Sequence, residues 1–216
     1  MLDKAHASHL DGIYRHQRFF YDLTREYYLL GRNKLIADLA PPAGGSILEI
    51  GCGTARNLIK AAQAYPQARC FGFDLSSVML RTGQASVRRH GLQTRICLRY
   101  ADATCFDAAD LFGIDRFDRI FISYALSMIP HWQAALRRAA GRLAPGGSLH
   151  VVDFGSCEAL PALFRQGLYA WLWKFSVQPR ATLGPALEAV AREYGGRLDF
   201  RSLFRGYASY AVLTLP

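Results

Sequence analysis

The chain has 216 residues, 51% of them hydrophobic and 20% charged, so one sizeable core can form and wholesale disorder is excluded. No window holds the roughly eighteen uninterrupted apolar residues of a membrane-spanning helix. The formal net charge of +9 is spread along the chain without a Lys/Arg block, which argues against a nucleic-acid arm and suits an anionic surface or substrate.

The first residues, MLDKAHASHLDGIYRHQ, are polar and lack the apolar centre of a signal peptide, so a cytoplasmic protein is expected. Residues 8–40 read as helices rich in aromatic rings. Tyr14, Tyr21 and Tyr28 fall on every seventh position and share one helix face. Such a stripe either packs on the core or lines a site for a cation, because ring faces attract positive charge. Five cysteines without a CxxC pair argue for reduced thiols rather than a disulfide framework or a zinc ribbon. The scattered histidines form no recognisable ligand pair, and no metal is expected.

From residue 46 to 154, short β-rich runs alternate with helical patterns. Strands are predicted at 46–51, 69–74, 95–100, 117–123 and 147–154, and helices at 55–65, 76–90 and 131–143. Pro145-Gly146-Gly147 is read as the turn ending the last of these helices. Strand, helix and strand at this spacing require right-handed crossovers and a mostly parallel sheet covered on both faces, an α/β fold.

Within 159–178 a long apolar helix is predicted, with Leu163, Phe164, Leu168, Trp171, Leu172 and Phe175 in one broad stripe. Tyr169, Trp173, Arg165 and Lys174 lie on its flanks. It reads either as an interfacial helix at a membrane surface or as a cover for the core. A helix at 186–194 and strands near 197–204 and 207–215 follow, joined at Gly206 into an antiparallel hairpin at the sheet edge. Two regions result, a helical lid over 1–45 and an α/β domain over 46–216.

Glu49-Ile50-Gly51-Cys52-Gly53-Thr54-Ala55 follows the first strand and opens a helix. Glycines there let the backbone turn tightly and approach a ligand, beside the free N–H groups of a helix N-terminus. A dinucleotide fingerprint would carry Gly or Ala where this chain has Arg56, which weakens the alternative of an NAD-dependent oxidoreductase. Asp74 ends the second strand, where a carboxylate accepts from both ribose hydroxyls. Asp102 follows the third, placed to accept from an exocyclic amine or to cap a helix.

The runs ILEIGCGTARN, FGFDLSS, YADAT and FDRIFISYALSMI resemble, in order, the cofactor motifs of class I S-adenosylmethionine-dependent methyltransferases. The resemblance implies a Rossmann-like, seven-stranded, mostly parallel sheet with a C-terminal antiparallel hairpin and N-terminal lid helices. It implies S-adenosyl-L-methionine with its amino acid over Gly51, Cys52 and Gly53, in a motif that also carries Glu49 and Asn57, and its ribose on Asp74. Leu75 and Met79 would flank the adenine, Asp102 and Ala103 reach its edge, and Ser123 and Tyr124 sit near the methyl. Arg32 is a candidate partner for the cofactor carboxylate.

The stretch from Tyr14 to Arg32 resembles the bacterial diacylglycerylhomoserine N-methyltransferases of betaine-lipid synthesis. That resemblance implies threefold methylation of a lipid amine and a partner enzyme that first moves the 3-amino-3-carboxypropyl group of adenosylmethionine onto diacylglycerol. Peripheral membrane contact is expected, and no nucleic acid. Phosphatidylethanolamine or small-molecule N-methylation is the alternative. Tyr14, Tyr21, Tyr28 and Tyr124 are the candidate catalytic residues, since the transfer needs an unprotonated, in-line amine more than a dedicated base.

Overall fold

The computed structural model of the chain describes residues 29–175 and 177–216. Seven strands form one sheet: β1 (Ser46–Ile50), β2 (Arg69–Asp74), β3 (Ile96–Tyr100), β4 (Phe117–Ser123), β5 (Leu143–Phe154), β6 (Arg197–Leu203) and β7 (Ala208–Thr214). Their order is β3-β2-β1-β4-β5-β7-β6. The first five pair in parallel, and β7 runs antiparallel between β5 and β6. The helices are α1 (Arg32–Asp38), α2 (Arg56–Ala64), α3 (Ser77–Arg89), α4 (Ala108–Phe112), α5 (Trp132–Ala140), α6 (Ala162–Trp173) and α7 (Leu183–Tyr194).

All five residues of β1 are buried, the pattern of a central parallel strand covered on both faces. Ile47 packs with Leu35 of α1, Leu58 of α2, Leu80 of α3 and Leu172 of α6. Leu48 and Ile50 point the other way, into a layer with Ala108 of α4, Leu136 of α5 and Leu187 of α7. The expected α/β architecture, with its antiparallel last strands, is the observed one.

The boundaries differ in three places, each for a local reason. The helix expected through 143 stops at Ala140, because Leu143 already pairs with Phe117 in the sheet. The turn at Pro145–Gly147 therefore interrupts β5, as a register shift between Phe117 and Arg119, instead of preceding it. Helix α7 begins at Leu183, ahead of the expected 186, with Pro185 in its first turn, where a missing N–H costs nothing. Helix α4 was not foreseen; Asp107 caps it by accepting from the Ala109 and Asp110 amides at 3.0 and 3.1 Å.

Residues 29–45 are knitted into this body. Leu35 and Leu39 are buried, the Tyr65 hydroxyl donates to Ile36 O (2.8 Å), and Arg119 donates to Leu39 O and Ala40 O. Tyr14, Tyr21 and Tyr28, with the rest of residues 1–28 of the expected lid, lie outside the described residues. Among the described residues no helix is long and apolar enough to cross a membrane, and no cluster of side chains offers a metal site.

Candidate active site

The chain winds outward from β1 to β2 and β3 on one side and to β4 and β5 on the other. Helices α2 and α5 therefore leave the neighbouring strands β1 and β4 toward opposite faces and open a crevice at their carboxyl ends. That crevice is a cleft of about 1180 Å³, mouth included.

Its floor is the loop after β1. Gly51, Gly53 and Ala55 all adopt positive φ, at 70°, 52° and 61°. The Gly51 and Cys52 amides both donate to Phe73 O at 3.0 Å, and the Gly53 amide donates to Asp74 Oδ2 at 2.8 Å. A Cβ on Gly51 would stand 2.7 Å from the Ala125 Cβ, so only glycine lets the loops after β1 and β4 approach so closely. Asp74 is held again through Oδ1, which accepts from the Ser76 amide at 2.8 Å.

Glu49 supplies the buried carboxyl group. One carboxylate oxygen accepts from Asn57 Nδ2 at 2.9 Å, while Oε2 is buried in the cleft wall without a hydrogen-bond partner. Burial pushes its pKa up to about 8; the Asn57 bond opposes this, Asp74 adds to it, and Arg32 counters it. Arg32, in the first turn of α1, also lines the cleft and donates through Nε to Leu29 O at 3.1 Å.

Leu75, Met79 and Met128 form a small apolar cluster of their own on one wall. Asp102 uses Oδ1 alone to accept from the Thr104 amide and hydroxyl, at 2.8 and 2.7 Å, so its local cap leaves Oδ2 to the cleft.

The facing wall is the segment after β4. Tyr124 has φ of 54°, buries its ring against Phe154 at 4.7 Å between centroids, and donates its hydroxyl to Leu30 O at 2.7 Å. Burial lifts its pKa well above the ordinary phenol value, so Tyr124 contributes a fixed ring and no proton acceptor at neutral pH. Ser123 Oγ beside it is buried without a partner. A short 3-10 turn, Leu126–Met128, follows. The buried carboxylate of Asp153 accepts from the Ser127 amide at 3.0 Å, and Arg180 donates to Leu126 O and Ile129 O at 3.1 and 2.9 Å.

Arg32, Glu49, Gly51, Cys52, Gly53, Asn57, Asp74, Leu75, Met79, Asp102, Ala103, Ser123 and Tyr124 all line this one cleft. Reading the sequence missed Leu29, Ala125, Met128, Ile129, Pro130 and His131 on this wall, and Thr54, Arg56, Phe73, Ala101 and Thr104 elsewhere in the lining. The run ALSMIPH is apolar without periodicity, and what holds it comes from β5 and from Arg180, far along the chain.

Residues 47–147 match the methyltransferase domain family. The demethylmenaquinone methyltransferase of Mycobacterium bovis (strain BCG / Pasteur 1173P2) is 30% identical over 194 residues, spanning 87% of this chain and 73% of that protein. The ubiquinone/menaquinone biosynthesis C-methyltransferase of Bartonella quintana (strain Toulouse) is 28% identical over 190 residues, 83% of this chain and 69% of its own length. A solved structure of Haemonchus contortus phosphoethanolamine N-methyltransferase 2 in complex with S-adenosyl-L-methionine has the same fold, with a TM-score of 0.69 at 14% identity over 86% of this chain and 52% of that one. A glycine bend and two aspartates on the carboxyl edge of a sheet so ordered define a nucleoside-cofactor enzyme of the α/β class. The chain belongs to the class I S-adenosylmethionine-dependent methyltransferases.

Proposed function

We propose that the chain methylates the amine of a lipid headgroup, with diacylglycerylhomoserine as acceptor and the betaine lipid as the product of three successive transfers. The residues fit the cofactor. Glu49 Oε2, buried and lacking a partner, suits an ammonium group, and Arg32 at the same end suits a carboxylate. Asp74 takes the ribose hydroxyls, the Leu75–Met79–Met128 cluster takes the adenine, and Asp102 with Ala103 takes its edge. The cofactor supplies an electrophilic methyl on a sulfonium. The chain's own residues hold the acceptor in line with it and exclude water, which carries most of the rate of such a displacement.

One observation carries the amine reading. The wall beyond Ser123 is made of Tyr124, Ala125, Met128, Ile129 and Pro130 with His131 at its rim, a ring, apolar side chains and an imidazole without a carboxylate. A free amine enters such a wall as the neutral nucleophile, and ring faces receive the cation it becomes. The nitrogen lone pair forms the new bond, the sulfur keeps the electrons of the old one, and the product ammonium loses a proton to solvent before the next turn. In this reading a partner enzyme builds the headgroup from diacylglycerol and the 3-amino-3-carboxypropyl group of adenosylmethionine.

A second reading is C-methylation of a quinol. It is favoured by the quinone-biosynthesis names of the relatives and by His131 at the rim of the cleft, a group able to take a phenolic proton. Incubating the purified chain with methyl-labelled cofactor and, separately, diacylglycerylhomoserine, phosphatidylethanolamine and a demethylated quinol decides between them. Label in the homoserine lipid supports the proposal; label only in the ethanolamine lipid or the quinol rejects it.

A further inference from the structure

Helix α6 is apolar on nearly every side, a pattern that ordinarily belongs to a buried helix. Yet Leu172 is its one buried residue, while Leu163 is 84% exposed, Trp173 78% and Phe164 52%. At about 3.6 residues per turn, Leu163 and Lys174 stand opposite Leu172, with Phe164 and Trp173 to either side. The turn joining β6 to β7 adds Phe204, 51% exposed. Both pieces rest on one stretch of backbone: the Tyr169 hydroxyl donates to Ser156 O at 2.9 Å, and the Cys157 amide donates to Gly206 O at 2.8 Å. That stretch continues from the carboxyl end of β5, the sheet edge that bears the cleft.

The charge around the patch is mainly positive, the exposed Glu158 beside Gly206 being the exception. Residues 159–187 include no Asp or Glu, whereas Lys174 caps the end of α6 on the exposed side and Arg205 follows Phe204; Arg165 falls on the Leu172 side of the helix. Glu158, just before this stretch, accepts from Ser202 Oγ at 3.4 Å. Large exposed apolar groups flanked by Lys174 and Arg205 match the outer layer of an anionic bilayer, where rings settle at headgroup depth and each Lys or Arg adds about 1 kcal/mol. The chain leaving α6 is tied to the acceptor wall, since the Gln178 amide donates to Ser127 O at 2.9 Å and Arg180 to Ile129 O.

We propose that α6 and the β6–β7 turn form a docking face for an anionic lipid surface, which sets the cleft mouth against the bilayer. The face serves any acceptor dissolved in the membrane, amine or quinol, and stands apart from which of them is methylated.

The test uses the whole chain and vesicles of phosphatidylcholine with or without phosphatidylglycerol, neither of which offers an acceptor amine. The wild type sediments with the anionic vesicles, and the double variant Leu163→Ser, Trp173→Ser partitions about tenfold less. Lys174→Glu weakens binding further as salt falls, while all variants keep the wild-type affinity for adenosylmethionine, which shows that they are folded. A wild type that stays in solution, equal binding to uncharged vesicles, or full binding by the double variant each overturns the proposal. A dimer seen by light scattering and abolished by Leu163→Ser overturns it in favour of a second copy. Loss of the lipid-amine activity with vesicle binding intact refutes only the acceptor.

Discussion

Asp74 accepts the Gly53 amide through one carboxylate oxygen and the Ser76 amide through the other, each at 2.8 Å, so a single side chain ties the loop after β1 to the loop after β2. A ribose held by this carboxylate would therefore couple ligand binding to loop geometry. Asp74→Ala is expected to cost about 1–3 kcal/mol of stability and to weaken adenosylmethionine binding by about a hundredfold or more. Asp74→Asn, which keeps one acceptor, falls between. Calorimetric titration with a thermal melt on the same samples checks both; unchanged affinity in Asp74→Ala refutes the ribose assignment.

Gly51 and Gly44 share φ near +70°, but only Gly51 has a neighbour where a Cβ would sit. Gly44→Ala carries the backbone strain alone, about 1 kcal/mol. Gly51→Ala adds the clash with Ala125 and is expected to lose about 1–3 kcal/mol more, together with cofactor affinity. Equal melting temperatures for the two variants contradict this account.

With its pKa raised to about 8, Glu49 is largely protonated at pH 7 in the free chain. An arriving ammonium favours the carboxylate, so cofactor binding at pH 7 is expected to release up to about one proton, and Glu49→Gln to abolish the release. Titration calorimetry in buffers of different ionisation enthalpy measures it. For the free chain the raised value means that the group's contribution to stability is full below pH 4.5 and lost as pH rises through about 8.

His150 behaves in the opposite sense. Its Nε2 meets Ser148 Oγ at 2.8 Å, and burial, helped by Arg119, pulls its pKa from 6.5 to about 4. A depressed value stabilises above pH 6.5 and is lost as pH falls toward about 4, a change of up to about 3 kcal/mol. Asp153, raised to about 6, opposes it over part of that window, so the readout is a difference. Urea unfolding of wild type and His150→Gln from pH 7 to pH 4 is expected to converge toward acid; parallel curves reject the assignment.

Arg180 holds three carbonyls of the wall after β4, at Leu126, Ser127 and Ile129. Arg180→Ala is expected to lower methyl-transfer turnover about tenfold while the affinity for adenosylmethionine stays put, with Arg180→Lys recovering part of the loss. A parallel fall in cofactor affinity would place Arg180 in a different role.

The cofactor half of the cleft is legible in the sequence because its signals are local. Glu49 and Asn57 lie eight residues apart, and Gly51, Gly53 and Asp74 mark strand ends that hydrophobic runs already announce. The acceptor half is not legible in that way. Its wall is fixed by Asp153 and Arg180, 26 and 54 residues beyond the groups they hold, and no periodicity carries such distances. Helix α6 could be located but not its surroundings, since a uniform apolar stripe looks alike whether a core or a lipid covers it; the structure shows Leu172 inside and Leu163 and Trp173 outside. The resemblance implies Tyr124 near the methyl, and only the bond to Leu30 reveals that its hydroxyl is spent on the backbone.

Among the described residues, strand β7 alone bridges β6 and the rest of the sheet. Any opening that detaches β7 therefore frees β6 as well and bares the edge of β5. The bared edge of β5 then becomes an open template for other extended chains, so local opening of this C-terminal pair exposes the protein to mispairing while the parallel strands stay joined.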